Sequence, residues 1–565
     1  MREELLRGRP PGLVQTRLTP EFYVSLVNAL LLGILVLLPL GTLILRSLGG
    51  AGLTFEFYEK AFTNPRLRAV LVNTLIVAFG STGIATFIGV FLAWMIHRTR
   101  MPLSSVLDVL IIVPFFVSPI VIALTWLTMA GGQGLINVLL QRIVGTGAPI
   151  VRIQSLWGIV LVMALYFVPY IYLYTSMGLK NIDPALEEAS YTSGGGALRT
   201  ALLVTLPLAM PAILAGVLLV FVLAASHFSV PLVLGTPNRI YVLTTIIFEL
   251  MHFYPPDFNQ AAAVSMVLLG ITGLSVWAQR AVIQRRSFVT VTGRGRSADA
   301  RRGGWLGIGA LVFCGAYVLV FVLVPMFMLV LVSLMRFFTL TDPRFTFAHY
   351  PLVLLRHPLT LRGIRNSLIL ATVGATFTLL FTSVLGYVIS RGRSRLRVVL
   401  DVLAMVPVMI PATAFAVALL LAWIRVPFVY GTVWILLLAY VTIYIPFGVR
   451  ATNANLAQIH QDLEAASRTS GAGWAYTFRR IVVPLMRPGL TAAWVLLFVG
   501  MLKEISASVL LYTFGTETMS VVLYELWSEG SFPVAASMAI VQTLLVGVIL
   551  VVFRRATKAD LRALS

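Results

Sequence analysis

Twelve apolar runs, each long enough to cross a lipid bilayer, dominate the sequence. A membrane-spanning helix needs roughly 20 predominantly apolar residues. The runs occupy 22–45, 69–96, 103–130, 155–178, 209–235 and 260–283 in the first half, and 305–335, 366–390, 398–423, 431–453, 486–513 and 534–553 in the second. Lipid offers no partners to exposed backbone groups, and the runs lack the alternation of a membrane barrel. The sequence therefore predicts an all-α polytopic membrane protein with about 12 transmembrane helices.

The composition excludes an ordinary soluble protein. Apolar residues make up 59% of the chain and charged residues only 11%, whereas soluble domains carry about 25% charged residues. The net charge of +21 comes largely from arginines at the ends of apolar runs, which indicates membrane orientation rather than nucleic-acid binding. The single cysteine, Cys314, lies within an apolar run, so no disulfide framework is possible.

Basic residues concentrate at alternate ends of the predicted spans. They follow the even-numbered spans, for example at Arg98, Lys180, Arg285, Arg391 and Arg479. Lys and Arg are enriched in cytoplasmic loops, so we expect these connections and both termini to be cytoplasmic. The first apolar run has no small-residue cleavage site after it and is predicted to be a retained span.

The two halves of the chain repeat one another. Asn73-Thr74-Leu75 corresponds to Asn366-Ser367-Leu368 at an offset of 293. A polar loop at 184–208 corresponds to a second at 461–485 at an offset of 277. Because each half has six predicted spans, both halves have the same topology and form parallel repeats about an axis along the membrane normal.

A basic, Gly- and Ser-rich segment at 285–304 separates the halves. Its composition is typical of a flexible linker, and its charge indicates the cytoplasmic side. The predicted organisation is a first module at 1–284, a cytoplasmic linker at 285–304 and a second module at 305–565. Each module holds six spans and one of the two polar loops.

Each polar loop resembles the cytoplasmic "EAA" loop of membrane subunits of ATP-binding-cassette importers. That motif reads Glu-Ala-Ala-x-x-x-Gly and is followed by Ile-x-Leu-Pro. The first copy is EASYTSG at 188–194 followed by VTLP at 204–207, and the second is AASRTSG at 465–471 followed by IVVP at 481–484. Ala465 stands where the motif has its glutamate, and Glu464 precedes it. The resemblance implies contact with an ATPase for Glu187, Glu188, Ala189, Gly194, Glu464, Ala466 and Gly471.

The resemblance further implies the MetI-like fold of type I importers and a mechanism of alternating access in a bacterial cytoplasmic (inner) membrane. The implied partners are two cytoplasmic ATPase subunits, which would bind the ATP and magnesium, and an extracytoplasmic substrate-binding protein. The chain itself has no G-x-x-x-x-G-K-[ST] loop and no His-Glu-x-x-His motif. We therefore expect no ATPase activity, no catalytic residues, no cofactor and no metal centre in this chain.

Three ionisable residues within the apolar runs are candidates for the translocation path or its gate. Lys503 and Glu504 lie mid-way along the predicted span 486–513, and His227 corresponds to Glu504 at the offset of 277. Ionisable groups in hydrocarbon are costly and usually face the bundle interior or a pathway. The alternative is that they are satisfied within the bundle and only orient its helices.

The same segments resemble fused ferric-iron permeases. KEISAS at 503–508 is similar to their Lys-Glu-Leu-Pro-Ala-Thr stretch, and HFSVPL at 227–232 is similar to their acidic-Phe-Gly-x-Pro stretch. The resemblance favours ferric iron as substrate, with thiamine, aminoethylphosphonate and polyamine as alternatives. An ion-coupled secondary transporter is the alternative of a different class, but it would not need two matched cytoplasmic loops.

Overall fold

The computed structural model describes residues 20–284, 305–339, 343–392 and 396–557. Within these residues, 11 helices are long and apolar enough to cross a membrane, and two bent helix pairs bring the number to as many as 13. The predicted all-helical fold with about twelve spans is confirmed. The predicted linker 285–304 and both chain termini lie outside the described residues, and the module boundaries stay a prediction.

The first module begins with span 1, Phe22–Ser47, and span 2, Pro65–Arg98. Span 3 is split into Ser104–Phe116 and Pro119–Ala130, and a short helix, Leu135–Val144, follows it. Span 4 is Leu156–Lys180, and the helix Pro184–Thr192 forms the polar loop. Span 5 is Ala197–Ala225, the bent pair Ser229–Asn238 and Leu243–His252 follows, and span 6 is Phe258–Gln284.

The second module repeats this order. Span 7 is Leu306–Leu334, span 8 is Pro358–Arg391, and span 9 is the bent pair Leu396–Met409 and Ala412–Trp423. Span 10 is Val433–Leu456, and the helix Gln461–Thr469 forms the second polar loop. Span 11 is Trp474–Leu502, the short helices Ser508–Leu511 and Met519–Ser528 follow, and span 12 is Phe532–Thr557.

Spans 3, 5, 9 and 11 differ from the uninterrupted runs predicted from hydropathy. Span 3 breaks just before Pro119, and span 9 bends by 111° next to Pro411, because proline cannot donate the backbone hydrogen bond that continues a helix. Spans 5 and 11 end at Ala225 and Leu502, not at the predicted 235 and 513. The residues after these ends are largely apolar, so hydropathy does not reveal the break.

The first span of each module packs against the other module. Leu32 and Val36 of span 1 are fully buried in a cluster with Leu385 of span 8. In return, Phe313 of span 7 stacks edge-on against Phe91 of span 2, with ring centroids 4.8 Å apart. The two halves therefore share one apolar core.

Candidate coupling and translocation sites

The two polar loops fold into matched helical turns, here called handle 1 (Pro184–Thr200) and handle 2 (Gln461–Thr477). Each helix ends at a glycine in the left-handed region, Gly194 with φ 82° and Gly471 with φ 84°. Glycine occupies this region without the steric cost that a Cβ brings. The turn is then closed by equivalent hydroxyl pairs, Ser190 with Thr200 at 2.8 Å and Ser467 with Thr477 at 2.9 Å. The sequence repeat is thus reproduced contact by contact.

Handle 1 is fastened to the end of span 2 by a buried carboxylate. Glu187 is 2% exposed, and its Oε1 accepts hydrogen bonds from Arg98 Nε at 2.8 Å and from the Thr205 hydroxyl at 2.7 Å. Arg98 also donates to the carbonyl of Leu179 at 2.8 Å. Arg98 is the last residue of span 2 and Leu179 lies at the end of span 4, so this group ties the handle to two spans.

Handle 2 is fastened by the equivalent carboxylate and arginine. Glu464 is 4% exposed, its Oε1 lies 3.2 Å from Arg391 Nε, and its Oε2 accepts a hydrogen bond from the Tyr387 hydroxyl at 2.7 Å. Arg391, the last residue of span 8, donates to the carbonyls of Leu456 and Ile459. The arginine and the glutamate recur in both modules, whereas the third partner is a threonine in one and a tyrosine in the other.

The remaining coupling residues predicted from the sequence are exposed on the handles. Glu188, Ala189 and Gly194 line the surface of handle 1, and Ala466 and Gly471 that of handle 2. Glu187 and Glu464, which the sequence places on the same surface, are instead buried, because both carboxylates are engaged inside the protein. Their role in coupling to an ATPase stays a prediction. The signal that could have found their burial was Arg98 and Arg391, which recur at the offset of 293.

The joint between each handle and the following span is a wide helical turn. Ala201–Thr205 and Phe478–Val482 are both π-helical. They end two positions before Pro207 and Pro484 in sequence, and these prolines lack the N–H that would continue a regular α-helix. Such π turns are frequent at functional sites, and here one occurs at the same point of each module.

Lys503 and Glu504 lie at the break after span 11, which corrects their predicted place mid-way along a continuous helix. Lys503 follows the last helical residue, Leu502. Its Nζ donates to the carbonyl of Phe115 at 2.7 Å and lies 5.3 Å from the centroid of the Phe115 ring. Since Phe115 is at the end of the first part of span 3, Lys503 satisfies a carbonyl at the break in the other module.

Glu504 faces tyrosines from both modules. Its Oε1 accepts a hydrogen bond from the Ala507 N–H at 3.0 Å, and the carboxylate interacts electrostatically with Tyr166 of span 4 and with Tyr440 and Tyr444 of span 10. These tyrosines were missed by sequence reasoning, because a tyrosine within an apolar run is not distinguished from a packing residue. Glu504 therefore lies where the two modules meet.

His227 lies at the equivalent break after span 5. Its ring packs against Tyr166 and Phe167, each with a centroid distance of 5.5 Å. Its Nε2 is buried and has no hydrogen-bond partner among the described residues. His227 and Glu504, which correspond to each other in the two repeats, thus both lie near Tyr166. No group of three or more His, Cys, Asp and Glu residues in the described part of the chain could hold a metal ion.

Comparison with curated proteins finds relatives over nearly the whole chain. The Fe(3+)-transport system permease protein FbpB 2 of Haemophilus influenzae is 26% identical over 538 residues, covering 94% of this chain and 97% of that protein. The ferric transport system permease protein FbpB of Actinobacillus pleuropneumoniae is 28% identical, covering 82% of this chain and 68% of that protein. A single-module relative, the sulfate transport system permease protein CysT of Salmonella typhimurium, is 27% identical, covering 45% of this chain and 89% of that protein.

The family described as "Binding-protein-dependent transport system inner membrane component" matches this chain twice, at residues 85–288 and 379–562. Each match contains one handle, the buried glutamate that fastens it and the broken span that follows. The two matches together cover more than half of the chain. The chain therefore belongs to the family of inner membrane components of binding-protein-dependent transport systems.

Proposed function

We propose that this chain is the membrane permease of an ATP-driven importer that moves ferric iron by alternating access. The observation that carries the proposal is the pair of matched handles, each fastened by a buried glutamate–arginine contact to a long span of its own module. Two cytoplasmic ATPase subunits would each hold one handle, and an extracytoplasmic binding protein would deliver the substrate. Both handles and both termini are then cytoplasmic, in agreement with the basic residues at Arg98 and Arg391.

The central residues favour a cation as the substrate. Lys503 donates to the carbonyl of Phe115 in the other module, which gives this lysine a structural partner at the break. Glu504 lies at the boundary between the modules, within electrostatic range of Tyr166 of the first module and of Tyr440 and Tyr444 of the second. Carboxylate and phenol oxygens are hard donors, so they would bind a hard cation rather than an anion such as sulfate. Two relatives that extend over most of the chain carry ferric iron in their names.

The proposal is tested by reconstituting the chain in liposomes with its ATPase and its iron-loaded binding protein. We expect uptake of ferric iron that requires ATP, the ATPase and the binding protein together. Uptake that survives without the ATPase would identify an ion-coupled secondary transporter. ATP-dependent uptake of thiamine, aminoethylphosphonate or a polyamine without uptake of iron would support the importer class but overturn the assignment of ferric iron as the substrate.

The handle turn provides a further prediction. Gly194→Arg forces a side chain into the left-handed region, which costs about 1–2 kcal/mol, and adds bulk at an exposed turn where the ATPase would bind. We expect uptake to fall at least fivefold while the amount of protein in the membrane is unchanged.

The matched control for this prediction is Gly196→Ala. Gly196 has an ordinary φ of −70°, and a Cβ added there meets nothing within 4 Å. We expect this variant to transport as the unmodified chain does. Full uptake by Gly194→Arg would show that handle 1 does not contact the ATPase at its turn.

A further inference from the structure

Two aromatic side chains meet between the short helices that follow the broken spans. Phe248, on Leu243–His252, and Tyr524, on Met519–Ser528, pack edge to face with ring centroids 5.9 Å apart and an interplanar angle of 84°. Phe228 packs against Phe248 at 5.6 Å, and Trp527 packs against Tyr524 at 5.9 Å. An aromatic row thus connects the two modules.

Phe248 and Tyr524 are equivalent residues of the two repeats, and matched hydrogen bonds establish the register. The N–H of Leu243 donates to the Thr74 hydroxyl, and the N–H of Met519 donates to the Ser367 hydroxyl, both at 2.8 Å. The side chain of Asn73 donates to the carbonyl of Tyr241 and that of Asn366 to the carbonyl of Glu517. Both sets give an offset of 276 for these helices, and 524 minus 248 is also 276.

Equivalent residues of two repeats touch each other only where both lie beside the axis that relates the repeats. In parallel repeats this axis follows the membrane normal and passes between the modules, where substrate sites form. The contact between Phe248 and Tyr524 therefore lies across the axial route. The same pair forms part of the wall of a cavity of about 670 Å³, which Glu249 also lines.

Spans 2 and 8 connect this contact to the handles. Each is one helix of 34 residues with proline only at its first position, and without an internal proline the commonest cause of a kink is absent. Thr74 holds one short helix, and Arg98, which holds handle 1, follows 24 positions later in the same span, about 36 Å away. Ser367 and Arg391 have the same separation in span 8. The aromatic contact is thus at the end of each span opposite the handle.

We propose that Phe248 and Tyr524 form an axial gate at the end of the bundle opposite the handles, and that spans 2 and 8 transmit handle movement to it. The proposal rests on the proposed function, since it needs an ATPase to move the handles. When the handles approach one another, each span carries its short helix with it through the Asn and Thr or Ser contacts, and the two rings separate. Each of spans 2 and 8 then acts as a rigid rod. At its outer end the asparagine and hydroxyl side chains hold the short helix, and at its inner end the arginine holds the handle.

The gate is tested by cross-linking in the full transporter. Cys314 is the only native cysteine, so Phe248→Cys and Tyr524→Cys are introduced together in a Cys314→Ala chain. A short bifunctional thiol reagent should join the two cysteines in the resting complex and reduce uptake at least tenfold, and a reducing agent should restore it when the reagent contains a disulfide. Trapping the ATPase with a non-hydrolysable ATP analogue should lower the cross-linking yield severalfold, because the rings have separated. A yield that does not respond to the nucleotide, or normal uptake by the cross-linked chain, would overturn the gate.

The rod is tested at Thr74, where the protein supplies its own control. Thr74→Val keeps the shape but removes the hydroxyl that accepts from the short helix, whereas Thr74→Ser reproduces the residue present at the equivalent position 367. We expect the complex that contains Thr74→Val to hydrolyse ATP but to transport at least threefold less substrate per ATP, and to lose the effect of the nucleotide on cross-linking. Thr74→Ser should retain both.

The outcomes separate this inference from the proposed function. ATP-dependent uptake by the unmodified chain, together with Thr74→Val behaving as Thr74→Ser does, would overturn the rod alone. Absence of ATP-dependent uptake by the unmodified chain would overturn the proposed function, and the inference with it. Transport is expressed per ATP hydrolysed, so that a difference in the amounts of Thr74→Val and Thr74→Ser protein in the membrane does not affect the comparison.

Discussion

Glu187→Gln should separate ATP hydrolysis from transport and reduce uptake at least tenfold. The substitution keeps the size of the side chain but leaves the guanidinium of Arg98, whose side chain is 17% exposed, without its charge partner. Removing one partner of a buried ion pair typically costs about 3–5 kcal/mol, since the remaining charge is stranded in a poorly solvated place. The free energy that holds handle 1 against span 2 is therefore largely lost, and movement of the handle no longer moves the span.

The measurement is uptake per ATP hydrolysed in liposomes that contain the complete transporter. Glu529→Gln, which neutralises an exposed carboxylate away from the handles, is the control for loss of charge alone and should behave as the unmodified chain does. The exchange of Arg98→Glu with Glu187→Arg restores the pair in reverse and should recover part of the coupling. Normal uptake per ATP by Glu187→Gln would show that the handle does not act through span 2.

The equivalent substitution in the second module tests the symmetry of the mechanism. Glu464 lies within ion-pair distance of two arginines, Arg391 at 3.2 Å and Arg468 at 3.8 Å, so the loss of its charge leaves two guanidinium groups without this partner. We expect Glu464→Gln to reduce coupling at least as much as Glu187→Gln does. Ala465 at the motif position removes an exposed carboxylate from handle 2 but leaves this buried contact in place.

The contrast between the exposed and the buried glutamates illustrates what the sequence could and could not predict. The repeat, the handles and the spans follow from local patterns, namely length of apolar runs, constant offsets and Gly-containing turns, and a single sequence displays these directly. Which of two adjacent glutamates turns inward depends on the end of another span, about 90 positions away for Glu187 and Arg98. The family motif marks Glu188, which is exposed, whereas the buried fastening uses Glu187, and only the matched Arg98 and Arg391 hint at it.

The broken spans were hidden for a different physical reason. Hydropathy is averaged along the chain, and the apolar residues on both sides of the breaks outweigh the few polar ones at Ser226-His227 and Lys503-Glu504. What ends these helices is tertiary contact, such as Lys503 reaching a carbonyl in the other module. The Phe248–Tyr524 contact could not be anticipated either. The offset between equivalent residues of the two modules changes from 277 at the break to 276 in the short helix, so a constant offset does not pair these two residues.

Glu504→Gln should lower ferric-iron uptake at least tenfold without changing the amount of folded protein. The geometry allows two roles for this carboxylate, a local one as acceptor for the Ala507 N–H and a functional one as the negative charge at the boundary of the modules. Glutamine retains a side-chain oxygen of the same reach, so the local hydrogen bond survives while the charge is lost. The substitution therefore isolates the charge, which is the property that a passing cation would use.

Lys503→Met supplies the contrasting result. It removes the donor to the Phe115 carbonyl, and a buried carbonyl left without its partner typically costs about 1–3 kcal/mol. We expect this variant to be less stable to heat in detergent, whereas Glu504→Gln should melt as the unmodified chain does and fail only in transport. The two measurements, thermal unfolding and uptake, thus assign the structural role to Lys503 and the transport role to Glu504. Wild-type uptake by Glu504→Gln would show that this carboxylate has only a structural role, as the cap of the short helix that begins at Ser508.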